Sequence, residues 1–325
     1  MTRPVRIDLH SHTTASDGRS TPEALAAAAA AAGVDVLALT DHDTVAGCAP
    51  TARACATLGI RFLPGIEITA VADARDVHVL GYFFDTTHPP LVAFLAAQRR
   101  QRVDRVREMG ARLRRHGADI DIDAVLAPAV EDTAKAVGRP WLARALVERG
   151  YVRTVPEAFD KWLSAGRPAF VPRAGASVSE VIARLHEAGG IASLAHPVFV
   201  KRDAWIPRLV DEGLDALEAY HSDHTPADTA RYLAMAEAHG LLVTGGSDYH
   251  GDDQRGRGGL GSVTLPEAQF ARLIAGRDAC RQPFDQPVHG LDRLGLGGAV
   301  LLGPAVHLAR HVLAGLAVVA QRSEE

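Results

Sequence analysis

Short apolar runs alternate along this chain with helical stretches, and this alternation restricts the fold more than any other feature. The runs are rich in valine, isoleucine and leucine, as buried strands are, and they occupy residues 5–9, 34–40, 62–68, 77–84, 191–195, 216–220 and 241–244. Alanine-rich helical patterns lie between several of them. This order predicts an α/β fold with a mostly parallel sheet, open or closed into a barrel, and with functional groups at the carboxyl ends of its strands.

The helical pattern at residues 22–32 carries signals for both of its ends. Ser20 and Glu23 have the spacing of a capping box, and Gly33 provides a stop. The pattern at residues 178–188 is closed in a similar way by two glycines. The sequence therefore predicts a helix in each of these two places.

Residues 91–174 interrupt the alternation, since their pattern is almost wholly helical until a short strand-like run at 169–171. We therefore expect three parts: a catalytic barrel formed by residues 1–90 and 175–276, an inserted helical subdomain at 91–174, and a C-terminal apolar extension at 277–325. Two histidines, an arginine and a proline interrupt the apolar stretch of the extension, so it is a poor transmembrane helix and a better docked or oligomerising helix.

The first helix expected in the insert, residues 91–116, has one apolar face and a strongly cationic remainder. The apolar face holds Val103, Val106, Met109 and Leu113. The arginines of the remainder are Arg99, Arg100, Arg102, Arg105, Arg107, Arg112, Arg114 and Arg115. They are compatible with the solvated face of an amphipathic helix or with a path for a polyanion, and the sequence leaves both interpretations open.

Composition limits the class of protein. Hydrophobic residues make up 47% and charged residues 23% of the 325 residues, as in soluble globular proteins. The three cysteines form no CxxC pair, and the first residues lack the pattern of an export signal, so we expect a reducing, cytoplasmic location. A formal net charge of -4 gives no general attraction for nucleic acid, so any such binding must come from a local patch.

Histidines and carboxylates stand at the ends of the predicted strands. The first strand runs into a His-x-His pattern, and because alternate side chains of a strand share a face, His10 and His12 can point at one metal ion while Asp17 follows on the turn. The second strand ends at His42, between two aspartates that could orient its ring. Further candidates at later strand ends are Glu67, His78, His196, Asp248 and His250.

Any one of the six histidines among these nine side chains would more often be structural than a ligand, but the joint placement of all nine predicts a metal centre. Imidazoles and carboxylates in this number, without a thiolate, exceed the needs of one tetrahedral zinc and suit two or three divalent ions, with Mn preferred and Fe, Zn or Mg as alternatives. Such ions lower the pKa of a bridging water and neutralise charge on phosphoryl oxygens. The sequence therefore predicts hydrolysis of a phosphoester with a bridging hydroxide as the nucleophile.

These segments resemble the successive motifs of the PHP (polymerase and histidinol phosphatase) family, and the similarity extends from residue 7 to about residue 265. The matching motifs are His10-Ser11-His12, Thr40-Asp41-His42-Asp43, Gly65-Ile66-Glu67, Ala195-His196-Pro197 and Gly246-Ser247-Asp248-Tyr249-His250. Three features resemble the branch that contains 3′,5′-nucleotide bisphosphate phosphatases and 5′-to-3′ exoribonucleases. They are Asp17 in place of a histidine, the segment at His78 and the helical insert. The resemblance implies a distorted (β/α)7 barrel with a trinuclear metal site.

The resemblance also implies how the ligands divide among three ions. The first ion would be held by His10, His12, Glu67 and Asp248. The second would be held by Asp17, His42 and His250. Glu67 would bridge to the third, together with His78 and His196. In the segment at residues 138–141, the family usually has histidine where this chain has Trp141.

Candidates for phosphate contacts and for proton donation lie outside this ligand set. Guanidinium and ammonium groups match phosphate oxygens, and the insert offers Arg139, Lys161 and Arg167, which could instead be solvated surface cations. His221 and His224 follow a predicted strand and could donate a proton to the leaving oxygen. We expect that role for His224 and a plain loop position for His221.

The combined expectation is a metal-dependent phosphoesterase that acts on a nucleotide or on the 5′ end of a short RNA, with no DNA-specific partner and no membrane. Insert cations would hold the terminal phosphate of such a substrate. Two alternatives stay open. One is a small-molecule phosphatase resembling histidinol phosphatase, against which Asp17 and the insert count; the other is a catalytically silent metal-binding module, which the complete ligand set disfavours.

Overall fold

The described part of the chain is an α/β fold built on one seven-stranded sheet. A computed structural model describes residues 3–251 and 258–280, with side chains as far as residue 277. The extension expected at residues 277–325 thus lies almost wholly outside the described residues. The strands follow one another across the sheet in chain order: β1 (Ile7–Asp8), β2 (Val36–Leu39), β3 (Arg61–Ala72), β4 (Arg75–Tyr82), β5 (Ile191–Leu194), β6 (Ala216–His221) and β7 (Leu242–Gly246).

The sheet curls until its two edge strands meet. The backbone N–H of Leu9 donates to the carbonyl of Gly245 at 3.2 Å, and the N–H of His12 donates to the carbonyl of Tyr249 at 2.8 Å. A Cβ on Gly246 would lie only 2.3 Å from the backbone nitrogen of His10, so glycine is required for this approach. The seam between β1 and β7 nearly closes the sheet, which confirms the predicted barrel.

Strand β4 runs antiparallel to both of its neighbours, whereas the other neighbouring pairs are parallel. Asp73 and Ala74 form the whole connection between β3 and β4, with φ angles of 46° and 57°. Two residues at positive φ make a tight hairpin turn, and a parallel neighbour would need a crossover of a dozen residues or more. The predicted mostly parallel sheet is therefore interrupted at one strand.

Helices cover the outside of the barrel and fill the long connection between β4 and β5. They are α1 (Pro22–Ala31), α2 (Cys48–Leu58), α3 (Pro89–Arg115), α4 (Ile122–Glu131), α5 (Arg139–Glu148), α6 (Val155–Ala158), α7 (Val178–Glu187), α8 (Pro197–Val200), α9 (Ile206–Asp211), α10 (Pro226–His239) and α11 (Glu267–Cys280). Thr21, and not Ser20, caps α1, because its side chain accepts from the N–H of Ala24. No helix in the described ranges is long and apolar enough to cross a membrane.

The helices α3 to α6 share a hydrophobic cluster of their own, separate from the core of the barrel. Val106, Met109 and Leu113 of α3 are buried in it, as their spacing predicts. The strand-like run at residues 169–171 is not a strand: the N–H of Phe170 donates to the carbonyl of Arg167, which makes a turn there. The division into a barrel and an inserted helical subdomain stays a prediction.

The arginines of α3 point in several directions. Arg102 is buried and donates to the carboxylate of Asp43, while Arg105 donates to the carbonyl of Val171. Arg114 is exposed and pairs with Asp119 at 2.8 Å. The cationic side of α3 is therefore not uniformly solvated, since part of it faces the interior of the protein.

Candidate metal centre

The nine predicted ligands come together at one end of the barrel. Four groups of side chains place their donor atoms within 4.8 Å of one another. These groups are His12, Asp17, His42 and His250; His10, His12 and Glu67; His10, His221 and Asp248; and His42, Glu67 and His78. The remaining predicted ligand, His196, lies beside them, with Nε2 2.9 Å from Oε1 of Glu67. The sequence therefore identified side chains that converge, although their roles as ligands stay a proposal.

Glu67 lies at the centre of the cluster and is 1% exposed. Its Oε2 is 3.1 Å from Nδ1 of His42 and 3.3 Å from Nε2 of His12. Its Oε1 is 2.7 Å from Nδ1 of His78 and 2.9 Å from Nε2 of His196. Oε1 thus faces two imidazoles, and Oε2 faces two others and also that of His10, whose Nε2 is 3.4 Å away, which is the geometry that a bridging ligand requires.

Asp248 and Asp17 bring carboxylates to the other side of the cluster. Oδ1 of Asp248 is 3.2 Å from Nε2 of His12, and Oδ1 of Asp17 is 3.3 Å from Nε2 of His250. Asp248 has a φ of 53° and His196 a φ of 26°, values that residues other than glycine rarely adopt. Backbone strain of this kind concentrates at functional sites.

Several buried polar atoms in the cluster have no hydrogen-bond partner. They are both ring nitrogens of His12, Oδ1 of Asp17, Nδ1 of His42 and Nδ1 of His196. Such atoms are costly in a protein interior unless something binds them. Two ligands that are each about 2.1 Å from one ion lie roughly 3–3.5 Å apart, which is the spacing of many donor atoms here. The cluster is therefore able to bind metal.

Charges within the cluster shift its pKa values strongly. Burial alone would lower the pKa of His12, but the nearby carboxylates of Asp248 and Glu67, at 3.2 and 3.3 Å, outweigh burial and raise it to about 10. Burial likewise disfavours protonated His10, yet Glu218, Asp248 and Glu67 raise the pKa of His10 well above its usual value. His42 behaves differently, because burial lowers its pKa to about 3. The surrounding carboxylates therefore favour the protonated forms of His10 and His12 when no metal is bound.

We expect the binding of divalent ions to release protons at pH 7 and to become tighter as the pH rises. A protonated imidazole must lose its proton before the nitrogen can bind a cation, and the raised pKa values of His10 and His12 keep them protonated in the metal-free protein. Calorimetric titration with Mn²⁺ in buffers of different ionisation enthalpy counts the released protons. An affinity that stays constant between about pH 6 and pH 9 would contradict this expectation.

Glu218 on β6 is a site residue that the sequence analysis missed. Its Oε1 lies 2.9 Å from Nδ1 of His10, and its Oε2 accepts from the backbone N–H of His196 at 2.7 Å. A carboxylate that binds one ring nitrogen orients the other nitrogen toward a metal. A glutamate inside the apolar run at residues 216–220 was the available signal, because a buried strand rarely carries an unpaired charge.

His221 is the second missed residue, since the sequence analysis assigned it a plain loop position. Its side chain is fully buried, and Nδ1 accepts from the backbone N–H of Asp223 at 3.1 Å. Its Nε2 lies 3.5 Å from Oδ2 of Asp248 and has no hydrogen-bond partner. His221 therefore reaches the cluster, where it forms one of the four groups together with His10 and Asp248.

A cavity lies beside the cluster, and Glu67, His78 and His196 are among the residues that line it. Three other predicted residues do not line this cavity. Nδ1 of His224 is 2.9 Å from the carbonyl oxygen of Ala219, and the centre of its ring is 5.3 Å from that of His221. Lys161 is exposed and pairs with Glu157 at 2.7 Å, and Arg167 is exposed at a turn. Proton donation by His224 and phosphate contacts by Lys161 and Arg167 thus receive no support from their positions.

Four arginines do line this cavity of about 210 Å³, and Arg139 is the predicted one among them. Arg139 and Arg105 share the carboxylate of Asp76, at 3.0 and 3.4 Å. The two others, Arg102 and Arg173, share the carboxylate of Asp43. The cavity is therefore bordered by a metal-binding cluster on one side and by paired guanidinium groups on another.

A nearly closed α/β barrel with a cluster of imidazoles and carboxylates at its end defines a class of protein, the metal-dependent hydrolases. The PHP domain model matches residues 8–127. The chain is 36% identical over 258 residues to the 5′-3′ exoribonuclease Rnm of Escherichia coli (strain K12), which covers 76% of this chain and 85% of that protein. The chain belongs to the PHP family and is a metal-dependent phosphoesterase.

Two further proteins are similar over most of the chain. The 3′,5′-nucleoside bisphosphate phosphatase of Chromobacterium violaceum is 35% identical over 256 residues, covering 77% of this chain and 89% of that protein. A crystal structure from Bifidobacterium adolescentis, provisionally named a metal-dependent phosphoesterase, has a TM-score of 0.75 and 34% identity, covering 84% of this chain and 97% of that one. The expected family and its nucleotide-directed branch are therefore confirmed.

Proposed function

We propose that this phosphoesterase acts on nucleotides that carry a second phosphate, either a 3′,5′-nucleoside bisphosphate or an RNA with a 5′-terminal phosphate, or both. The observation that carries this proposal is that the metal-binding cluster and the four arginines border one cavity. One phosphoryl group can lie on the cluster while the other lies on guanidinium groups. The printed activities of the exoribonuclease and the bisphosphate phosphatase support the same class of substrate.

We infer that the nine side chains bind two or three divalent ions, with Mn²⁺ as the expected ion. Their donors are imidazole nitrogens and carboxylate oxygens, which suit such ions. When bound, the ions supply an activated water and neutralise charge on phosphoryl oxygens. Glu67 links the two halves of the cluster through its two oxygens, and Glu218 holds the ring of His10 in the orientation that points Nε2 into it.

The arginines differ in how accessible they are to a substrate. The Asp43 side chain is 0% exposed and that of Arg173 is 4% exposed, whereas the Asp76 and Arg139 side chains are 20% and 27% exposed. Arg105 and Arg139 share one carboxylate, so two positive charges face one negative charge. A phosphate can therefore gain charge-assisted hydrogen bonds from Arg139 without removing its contact with Asp76.

Aromatic rings lie near the same cavity. Phe159 and Phe199 are among the residues that line it, and Phe199 is 48% exposed. Base stacking on aromatic side chains tolerates any base, because every base has a π-face. This arrangement suits a nucleotide substrate without a strong base preference.

Arg139→Ala tests the second phosphate directly. We expect kcat/KM for 3′-phosphoadenosine 5′-phosphate to fall about 10- to 100-fold, since a hydrogen bond to a charged group contributes roughly 1.5–3 kcal/mol. Hydrolysis of 3′-AMP, which lacks the second phosphate, should change much less. Steady-state release of inorganic phosphate from the Mn²⁺-loaded enzyme measures both reactions.

Lys161→Ala is the matched control, because Lys161 is a cation of the same region that is exposed and paired with Glu157. It should leave both reactions unchanged. Equal losses on the two nucleotides in Arg139→Ala would argue against a second phosphate site. Faster hydrolysis of histidinol phosphate than of the bisphosphate by the unaltered enzyme would contradict the proposed substrate class.

A further inference from the structure

The loop that carries Asp17 is held from outside by the helical region between β4 and β5. The indole N–H of Trp141 donates to the carbonyl of Ser16 at 2.9 Å, and Nη1 of Arg144 donates to the carbonyl of Asp17 at 3.1 Å. The backbone N–H of Ala136 donates to the carbonyl of Ala15 at 2.9 Å. Three consecutive carbonyl groups of the loop are thus bound by α5 and the segment that precedes it.

The loop that follows His42 has contacts to the same region. Nη1 of Arg99 donates to the carbonyl of Asp43 at 3.0 Å, and the hydroxyl of Thr44 donates to the carbonyl of Ala134 at 2.5 Å. Two of the three loops that supply ligands to the group of His12, Asp17, His42 and His250 are therefore fixed by residues that lie outside the cluster.

The loop at residues 13–18 has no helix or strand to hold its shape. On its inner side, the carboxylate of Asp41 accepts from the N–H of Thr13 at 2.7 Å and from the hydroxyl of Ser16 at 2.6 Å. On its outer side, the carbonyls of Ser16 and Asp17 depend on Trp141 and Arg144. The position of the Asp17 carboxylate is thus set from both sides.

We propose that Trp141 and Arg144 are positioning residues that set the metal affinity of the group formed by His12, Asp17, His42 and His250. A ligand oxygen must lie within a few tenths of an ångström of its ideal distance, and residues that orient ligands typically change metal affinity 10- to 100-fold. Trp141 acts through Ser16 and Arg144 acts through the backbone of Asp17. The inference rests on the ligand role of Asp17 in the proposed function.

A tryptophan at this place could instead serve only to pack against the hydrophobic cluster of α3 to α6, which its ring also contacts. Trp141→Phe separates the two roles, because it keeps an aromatic ring and removes the N–H donor. Trp162 supplies the matched control, since it packs against the same cluster and its indole nitrogen is buried without a hydrogen-bond partner.

The experiment titrates metal-free Trp141→Phe and Trp162→Phe with Mn²⁺ in a calorimeter. We expect Trp141→Phe to bind Mn²⁺ at one class of site about 10-fold more weakly than the unaltered chain does. Trp162→Phe should bind Mn²⁺ with the affinity of the unaltered chain. Thermal unfolding of the metal-free proteins should give the same midpoint for both variants. Equal Mn²⁺ affinity in the two variants would overturn the proposal.

A double-mutant cycle with Asp17→Asn locates the effect. If Trp141 acts through Asp17, Trp141→Phe should weaken Mn²⁺ binding no further once Asp17→Asn is present. A full additional loss would show that Trp141 acts elsewhere and would overturn the positioning role. Arg144→Met provides an independent test of the same loop should Trp141→Phe not fold, and normal Mn²⁺ affinity in Arg144→Met would likewise contradict it.

Failure of this inference and failure of the proposed function give different results. If Asp17→Asn binds Mn²⁺ normally, the ligand role of Asp17 is wrong and the positioning role is wrong with it. If Asp17→Asn loses one class of Mn²⁺ while Trp141→Phe and Arg144→Met keep it, only the positioning role is wrong.

Discussion

Replacing Glu67 with glutamine is expected to reduce kcat/KM for phosphoester hydrolysis by at least about 1,000-fold, equivalent to roughly 4 kcal/mol of transition-state stabilisation. Glutamine has nearly the same shape but carries no charge, and its nitrogen cannot bind a cation. Oε2 of Glu67 faces His10, His12 and His42, and Oε1 faces His78 and His196, so one substitution removes the link between these two sides of the cluster. Phosphate release and the metal content of the purified protein measure the two consequences.

Glu187→Gln is the control for this substitution, because Glu187 lies on α7, is 48% exposed and pairs only with Arg184 among the described contacts. It should retain full activity and metal content. Circular dichroism establishes that Glu67→Gln is folded. Retention of more than about a tenth of the activity in folded Glu67→Gln would show that this carboxylate does not bridge the catalytic ions.

The second large effect is on stability. Asp43→Asn should lower the free energy of unfolding of the metal-free protein by about 3–5 kcal/mol, the usual cost of removing one partner from a buried ion pair. Asp43 is fully buried and accepts from Arg102, from Arg173 at 2.8 Å and from the N–H of Thr69 at 2.9 Å. Asparagine tolerates the φ of 51° found there, so the change removes charge without adding backbone strain.

Urea denaturation of Asp43→Asn is compared with that of Asp104→Asn. Asp104 is 74% exposed and 3.6 Å from Arg107, so its substitution should cost less than about 0.5 kcal/mol. Equal free energies of unfolding in the two variants would mean that the buried ion pairs of Asp43 contribute nothing to stability.

The pH dependence of this stabilisation follows from the pKa of Asp43. Burial alone would raise that pKa, but Arg102 and Arg173 outweigh burial and hold it well below its usual value. Because the folded pKa lies below the unfolded one, the stabilisation is complete above the unfolded value of about 4 and is lost as the pH falls toward the folded value. The difference in stability between the unaltered chain and Asp43→Asn should therefore be constant near neutrality and shrink in acid.

The ligand cluster was predictable because its signals are local. A histidine or carboxylate that ends an apolar run is visible in the sequence, and parallel strands bring their carboxyl ends to one edge. The direction of β4 was not predictable in this way, since Asp73-Ala74 lacks the asparagine-glycine pattern that usually marks a two-residue hairpin. His78 nevertheless reaches the cluster, because the hairpin places it opposite Thr69, two residues beyond Glu67.

The surroundings of the cluster depend on contacts between distant segments, and no local sequence pattern indicates such contacts. Arg102 and Arg173 come from separate parts of the chain and meet only because both bind Asp43. The choice between His221 and His224 depended on which ring reaches the cluster: His221 is the last residue of β6, and His224 follows it three residues later. Lys161 and Arg167 were chosen by charge alone, and charge does not indicate which way a side chain faces.

The seam between β1 and β7 has a consequence for how the enzyme matures. It joins segments more than 200 residues apart, and His10 and His12 meet Asp248 only across it. Contacts of such long sequence separation are slow to form, because the chain between them loses entropy when the loop closes. A ribosome must therefore release nearly the whole barrel before metal capture at this centre is possible, and shortened translation products that end before β7 would lack it.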